Sequence, residues 1–554
     1  MNSPPVIKVN QLCYSYRKTS RARILDGLDL AIAPGDYLLI SGSSGCGKST
    51  LCRTFNGLIP HFYDGIMSGT VYVAGTPTTA TTIGDLFSRV AMVFQNPEAQ
   101  LFSTTVEGEI AFGLESLGLA RQEIRTRIAA ITEGIGLTDL IHRNPRDLSG
   151  GEQYLVSTAA CLAIQPRLII LDEPYANLDP VHVLRLRDIL KSINRRGTAV
   201  VICEHRLGPT IPDVNRMVVV HQGRIVLDGP PERILSTAVE QYGLAVPFVV
   251  KAGLKTGQVP LPLTRKELAA SISPADLTAV PRPVLVPPIK KNTPIVLRVE
   301  ALSSIPNNNL TLKNIHFSLA ESECLALVGA NGAGKTTLAR HLIGLLHPDT
   351  GRINIMGKPA DQMKTSELAR YAGLAFQNPH NQFFKQTVRE EIEVGPRMLN
   401  CLDTGWIDSL VTLFRLEKLL DRPPYRLSTG EKKRVAFAAA LAVNPPILIL
   451  DEPTAGQDGH FRKALGRCLE NLRKRGHSVI MITHDLAFAE QYAHRWLLMA
   501  EGEIIARGTP ADVMSNQKAM TRAGLAATDT FELFYAGSQA PLGHTRLLRE
   551  HDKF

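Results

Sequence analysis

No stretch of this chain is apolar for long enough to cross a bilayer. The run VAFAAALAV, Val435 to Val443, is about half the length that a helical span needs. The eight cysteines are scattered with no C-x-x-C pair, which counts against a zinc site or an iron–sulfur cluster and leaves reduced thiols as the plain reading. The opening MNSPPVIKVN has neither an apolar signal core nor an arginine-rich amphipathic pattern, so export is not expected. Basic blocks are missing too: the net charge of +9 is spread over 61 basic and 52 acidic residues, the pattern of a solvated surface, or as the lesser reading of one drawn to an anionic membrane face, and not of a nucleic-acid arm.

What is present is an ordinary globular composition, 44% apolar and 20% charged. At 554 residues the chain is too long for one core; either three or four domains of common size or two larger repeats would account for it.

The repeat is visible in one short pattern. Gly42 to Thr50 reads GSSGCGKST and Gly329 to Thr337 reads GANGAGKTT. Both fit G-x-x-x-x-G-K-[ST], in which a glycine-rich turn aims backbone N–H groups at phosphate oxygens, the lysine neutralises charge and the hydroxyl binds magnesium. An apolar strand, LLIS or LALV, leads into each copy. Behind each, Leu51, Phe55, Leu58 and Ile59, and likewise Leu338, Leu342, Leu345 and Leu346, are spaced as one buried helix face.

Around the first loop, Val6 to Leu30 reads as two short strands, and Tyr16 among them suits either sheet packing or stacking on a base. VAMVF is an apolar strand ending at Gln95, where Asn96 and Pro97 force a turn. DLSGGEQ places Ser149 at a helix entry with Glu152 three positions on, the capping-box spacing, and Gly150 and Gly151 permit close backbone approach. RLIILDEP is a strand buried on both faces that ends in Asp172 and Glu173. Adjacent carboxylates are poor core residues but make sense around Mg²⁺ and an attacking water. TAVVICEHR is another such strand, ending at His205, and MVVVHQGRIVLDG is a hairpin turning at Gln222 and Gly223.

After a tail containing a Thr264 to Glu267 capping box, Ile272 to Pro294 carries six prolines and is expected to be an extended linker. The order then restarts: Gln377, LSTGE, Asp451 with Glu452, and His484 recur at a constant offset of about 280 residues, a duplication of a whole domain. The expected division is 1–271, a linker over 272–294, a second domain over 295–520 and a tail over 521–554.

The ordered set GSSGCGKST, Gln95, LSGGE, LIILDEP, ANLD and EHR, repeated as GANGAGKTT, Gln377, LSTGE, ILILDEP, AGQD and THD, resembles the ATP-binding cassette (ABC) ATPases over about nine tenths of the chain. NGLIPHFYDGIMSG and the pair NPEAQLFSTTVEGEIAFG and NPHNQFFKQTVREEIEVG are similar to the energising subunits of energy-coupling factor importers, including those with both ATPase domains in one chain. The resemblance implies an α/β fold: two tandem P-loop nucleotide-hydrolase domains, each a mostly parallel sheet with an antiparallel N-terminal β subdomain and a helical signature subdomain. It also implies ATP and Mg²⁺ as cofactors and head-to-tail closure of two cassettes, so that each signature turn completes the other half's site.

Site one would then join Tyr16, Gly42, Ser43, Ser44, Gly45, Cys46, Gly47, Lys48, Ser49, Thr50, Gln95, Asp172, Glu173 and His205 to Ser428, Thr429 and Gly430. Site two would join Gly329, Ala330, Asn331, Gly332, Ala333, Gly334, Lys335, Thr336, Thr337, Gln377, Asp451, Glu452 and His484 to Ser149, Gly150 and Gly151. By the same resemblance Glu173 and Glu452 polarise water, His205 and His484 hold the γ-phosphate, and Ser49, Gln95, Asp172, Thr336, Gln377 and Asp451 surround the metal. Three departures stand out: no aromatic in SSIPNNN takes the place of Tyr16, Thr429 stands where the first half has Gly150, and Gln457 replaces Leu178. Cys46 adds a thiol to the first loop.

The resemblance implies a peripheral ATPase on the cytoplasmic face of a membrane, paired within one chain, driving a transmembrane scaffold and a substrate-binding membrane subunit, with no nucleic-acid partner. The cargo in that family is a vitamin or a transition-metal ion. A tandem sugar-importer ATPase is the alternative within transport, and a soluble ribosome-associated tandem ATPase the alternative outside it. The short proline-rich linker and the absence of cysteine clusters weigh against the second.

Overall fold

The computed structural model describes residues 4–535 except 17–22, 176–177, 179, 274, 281–285, 288, 291, 306–310 and 377–381, and omits the side chains of 180, 277 and 429. By its internal contacts the chain forms two compact units: Met1–Pro247 with Ala455–Lys463, and Phe248–Thr454 with Ala464–Phe554.

In the first half the strands are β1 (Ile7–Ser15), β2 (Leu25–Ile32), β3 (Tyr37–Ser41), β4 (Ile66–Val73), β5 (Thr76–Pro77), β6 (Val90–Val93), β7 (Leu168–Asp172), β8 (Ala199–Cys203), β9 (Arg216–His221) and β10 (Arg224–Gly229). They form an antiparallel sheet β2-β1-β4-β5 and a six-stranded sheet β10-β9-β3-β8-β7-β6. The six-stranded sheet is parallel apart from β10, which pairs antiparallel with β9 across the Gln222–Gly223 turn. Strands β3, β6, β7 and β8 are buried at every position. That is why their sequences are unbroken apolar runs, without the alternation of half-exposed β1 and β2.

The second half repeats this plan with β11 (Ile295–Ser304), β12 (Leu312–Ala320), β13 (Cys324–Val328), β14 (Thr350–Ile355), β15 (Lys358–Pro359), β16 (Ala372–Ala375), β17 (Ile447–Asp451), β18 (Ser478–Thr483), β19 (Arg495–Ala500) and β20 (Glu503–Gly508). The sheet orders are β12-β11-β14-β15 and β16-β17-β18-β13-β19-β20, again parallel but for the last strand. Each half is thus an α/β domain with an antiparallel β subdomain.

Two expectations from the sequence need correction. The helices behind the phosphate loops are shorter than their apolar spacing suggests, Lys48–Phe55 and Lys335–Leu342. Gly57 and Gly344 adopt left-handed φ of 78° and 72° and end them. A Cβ at either glycine would lie within 2.7 Å of Leu86 or Leu368. Leu51, Phe55, Ile59, Leu338 and Leu342 are buried as the spacing predicts, whereas Leu345 is 51% exposed.

The proline-rich stretch is also not wholly extended. Ile272 and Val280 are buried in a small cluster with Val249, Ala252, Leu268 and Leu533. Helix Phe248–Lys255 packs against Asp529–Phe534 in that cluster, within the second compact unit. Apolar residues within reach of a core bury, and here that outweighs the stiffness of their proline neighbours.

Candidate ATP-binding sites

Each phosphate loop starts where a fully buried strand ends. Gly42 and Gly329 have φ of 147° and 156°, and a Cβ there would sit 2.1 Å from Val220 O or 2.3 Å from Met499 O. Only glycine lets the chain pass its neighbour strand and turn back into a loop. Within the loops, Lys48 Nζ donates to Gly42 O at 2.9 Å and Ser43 O at 3.0 Å, and Lys335 Nζ to Gly329 O at 2.8 Å and Ala330 O at 2.7 Å. Both ammonium groups are buried and held inside the turn, where a phosphate would find a cation and a row of N–H donors. Ser44 N–H donates to Asp458 Oδ2 at 3.0 Å, in the segment Ala455–Lys463 of the first compact unit. Cys46 is buried, with Lys48 Nζ 3.7 Å from its Sγ.

The carboxylate pairs stand at the ends of β7 and β17. Burial and the neighbouring Glu173 push Asp172 up to about 6 against the pull of Ser49, Lys48 and Arg53. Burial and Glu452 do the same to Asp451, which Thr336 Oγ1 meets at 2.9 Å. A buried acid kept partly protonated beside a hydroxyl and a lysine is a fitting ligand pair for a divalent cation, whose charge would remove the cost of ionising it. No group of three or more His, Cys, Asp or Glu side chains that could hold a metal ion forms among the described residues.

Glu173 and Glu452 behave differently from their neighbours. Burial opposes their charge, yet each is held below the ordinary carboxylate range, Glu173 by His205, Lys48 and Gln95, and Glu452 by His484, Lys335 and Lys433. Glu173 Oε1 lies 3.2 Å from His205 Nε2 and its Oε2 accepts from Gln95 Nε2 at 2.7 Å. Glu452 Oε1 lies 2.9 Å from His484 Nδ1. Both glutamates have φ of 49°, a left-handed conformation that a side chain disfavours. It turns each chain sharply after its aspartate, giving neighbouring carboxylates separate surroundings. Gln377 lies outside the described residues.

Tyr16 is placed beside the first loop. Its hydroxyl is 3.0 Å from Thr50 Oγ1 and accepts from Arg53 Nη1 at 3.1 Å, while Arg53 also covers the Tyr63 ring at 4.8 Å. Arg53 was not evident from the motif. Ser149 and Ser428 cap helices Gly150–Ala163 and Thr429–Ala442, each in a full capping box, with Glu152 and Glu431. Sequence reasoning also passed over Glu204, Lys433 and Asp485, three buried charged groups beside the carboxylates. The signal available for them was the mismatch between EHR and THD and between EQY and EKK at matched positions of the repeat.

The family model described as "ABC transporter" matches this chain twice, over residues 25–176 and 312–455. A "Putative ABC transporter ATP-binding protein" of Methanosarcina acetivorans is 36% identical over 551 residues, covering 95% of this chain and 89% of that protein. The "Putative HMP/thiamine import ATP-binding protein YkoD" of Bacillus subtilis is 33% identical, covering 93% of this chain and 94% of its own length. Among solved structures, cbiO1 from Clostridium perfringens, described as part of the ABC transporter complex cbiONQ, is 32% identical over 41% of this chain and 93% of its own, with a TM-score of 0.36. Two loops with their carboxylates, two family matches and relatives similar along nearly the whole length agree: the chain belongs to the ABC transporter family and is an ATPase with two ATP-binding domains in one polypeptide.

Proposed function

We propose that this ATPase energises an importer through separate transmembrane subunits, from the cytoplasmic face of the membrane, for uptake of a vitamin or a transition-metal ion. The functional division follows the repeats, 1–271 and 295–520, joined by 272–294 and followed by the tail 521–554. The observation that carries the reading is that both halves keep a loop lysine and a carboxylate–histidine pair at 3.2 and 2.9 Å. Two hydrolytic sites fit a motor that closes and opens symmetrically. The relative named for HMP/thiamine import supports the direction and the class of cargo.

In this mechanism Lys48 and Lys335 neutralise the β- and γ-phosphates, while Glu173 and Glu452 accept hydrogen bonds from the attacking water and aim it. His205 and His484 fix both the glutamate and the γ-phosphate. Mg²⁺, held through Ser49 with Asp172 and through Thr336 with Asp451, would supply neutralisation of the developing charge. Tyr16 would stack on adenine in site one. Each site is completed by the signature turn of the other half, Ser428 to Gly430 for site one and Ser149 to Gly151 for site two, and the helix N-termini there favour an anion.

No helix among the described residues is long and apolar enough to cross a membrane, so the force would pass to other subunits. The segment after Gln95 offers a contact for them: Phe102 and Phe112 are exposed and meet edge to face at 4.6 Å. The test is to purify the tagged chain from a detergent extract of its native membranes. Integral membrane proteins should accompany it; a chain that hydrolyses ATP but always emerges alone would overturn the reading.

A further inference from the structure

β8 ends between two catalytic strands. Its last residue, Cys203, pairs with Ile40 of β3 on one side and with Asp172 of β7 on the other. The next residue, Glu204, therefore stands where the phosphate loop, the carboxylate pair and the histidine loop converge, and it is only 2% exposed. Its backbone N–H donates to Ile40 O at 3.2 Å and its carbonyl accepts from Ser41 Oγ, just ahead of the loop, at 2.7 Å.

The side chain bridges the remaining gap. Glu204 Oε1 accepts from the N–H groups of His205 at 2.7 Å and Arg206 at 3.0 Å, and Oε2 accepts from Tyr175 N–H at 3.4 Å. Arg206 Nη1 adds a bond to Tyr175 O at 3.3 Å. One carboxylate thus binds the turn carrying His205 to the turn two residues past Glu173. An apolar side chain would fill this place without burying a second acid near Glu173, an expensive arrangement.

The second half reaches the same result with other residues. Thr483 replaces Glu204, Thr454 replaces Tyr175 and Asp485 replaces Arg206. Thr483 Oγ1 accepts from Asp485 N–H at 2.9 Å, and Thr454 Oγ1 donates to Asp485 Oδ2 at 2.8 Å. The acid has moved from before the histidine to after it, and the two turns remain tied. Two chemically different ties at one topological point indicate that the tie is what the site requires.

We propose that Glu204 is a positioning residue for ATP hydrolysis at the first site, holding His205 and Glu173 in register through backbone N–H groups on both turns. The inference rests on the reading of Glu173 and His205 as the hydrolytic pair of that site. Three backbone N–H groups converging on the oxygens of one buried side chain fix such a geometry, and a displacement of about 1 Å at a reacting centre can cost up to about a hundredfold in rate.

The test measures phosphate release by the purified full chain as a function of ATP, with thermal melting in parallel, for Glu204→Ala, Glu204→Thr and Glu204→Gln beside Glu173→Gln. Glu173→Gln sets the share of turnover that belongs to site one. Glu204→Ala and Glu204→Thr should each remove about nine tenths of that share, a tenfold loss, with KM for ATP within about twofold of wild type. Glu204→Gln should recover most of it, because an amide oxygen still accepts from His205 and Arg206. If Glu204→Ala does not fold, Glu204→Thr carries the test, since β18 already ends in threonine at this point.

Wild-type turnover per folded molecule in Ala and Thr, with only a lower melting temperature, would mean a structural acid and overturn the proposal. So would a Gln variant as impaired as Ala, which would mean that charge and not acceptor geometry matters. If Glu173→Gln itself left turnover unchanged, it is the reading of the hydrolytic pair that fails.

Discussion

The two halves agree closely in the loop lysine, the carboxylate pair and the histidine and disagree in what stands behind them. Both glutamates share a φ of 49°, and both loop lysines hold the same two carbonyls. Behind Asp172 the signature helix of the first half places Tyr154, fully buried, whose hydroxyl has no hydrogen-bond partner among the described residues. The matching position of the second half is Lys433, also buried, which donates to Glu452 O at 3.2 Å. Each centre therefore carries one further buried acid, Glu204 or Asp485, but the first adds an uncharged phenol where the second adds a buried cation. Reaction geometry is fixed in both, while the charge that supports it is distributed differently.

The largest effect should come from testing the shared part. Because each half keeps a glutamate–histidine pair, met through Nε2 in the first and Nδ1 in the second, Glu173→Gln and Glu452→Gln should each depress hydrolysis at their own site by about a hundredfold or more, read as ATP turnover of the single variants against wild type. Full turnover in either one would break the symmetry and leave one working site. A smaller effect should come from the part that differs. Lys433→Met strands the buried Glu452 carbonyl and should destabilise the chain by about 1–3 kcal/mol. Tyr154→Phe removes a hydroxyl that burial has already stripped of water and should be neutral or slightly stabilising. Denaturant melts of both variants compare the two; equal losses would mean that the supports are interchangeable.

Most of the fold was legible because buried parallel strands write themselves as apolar runs, and LIIL and ILIL lie where β7 and β17 do. The loops and carboxylates were legible because phosphate chemistry allows few residue types at those spacings. Three things were not. The helix ends depended on Gly57 and Gly344 meeting Leu86 and Leu368, contacts distant in sequence. The packing of Ile272 and Val280 depended on Leu533, far along the chain. Glu204 reads as a surface residue in ICEHR until the strand order β3-β8-β7 puts it between two catalytic turns. In each case the missing information was tertiary contact, which local pattern does not encode.

The finest difference between the halves lies at the opposite end of the central sheets. In the first, Asn215 Oδ1 accepts from Tyr37 N–H at the start of β3, at 3.1 Å. In the second, His494 Nδ1 accepts from Cys324 N–H at the start of β13, at 2.9 Å. An amide does not titrate, but an imidazole does. Burial, with the Arg473 guanidinium beside the other ring nitrogen, depresses His494 from its ordinary value to about 4. In the unfolded chain the ring takes up its proton near 6.5, whereas in the fold it stays neutral until about 4. The stability held in the neutral ring is therefore complete above about 6.5 and is lost as the pH falls from there towards 4. His494→Asn, which copies the first half, should flatten that loss. Both tryptophans, Trp406 and Trp496, belong to the second half, and Trp496 is fully buried two residues from His494. Thermal unfolding followed by tryptophan fluorescence at pH 7 and pH 5 should show a smaller drop for His494→Asn than for wild type; equal drops would place the acid sensitivity elsewhere.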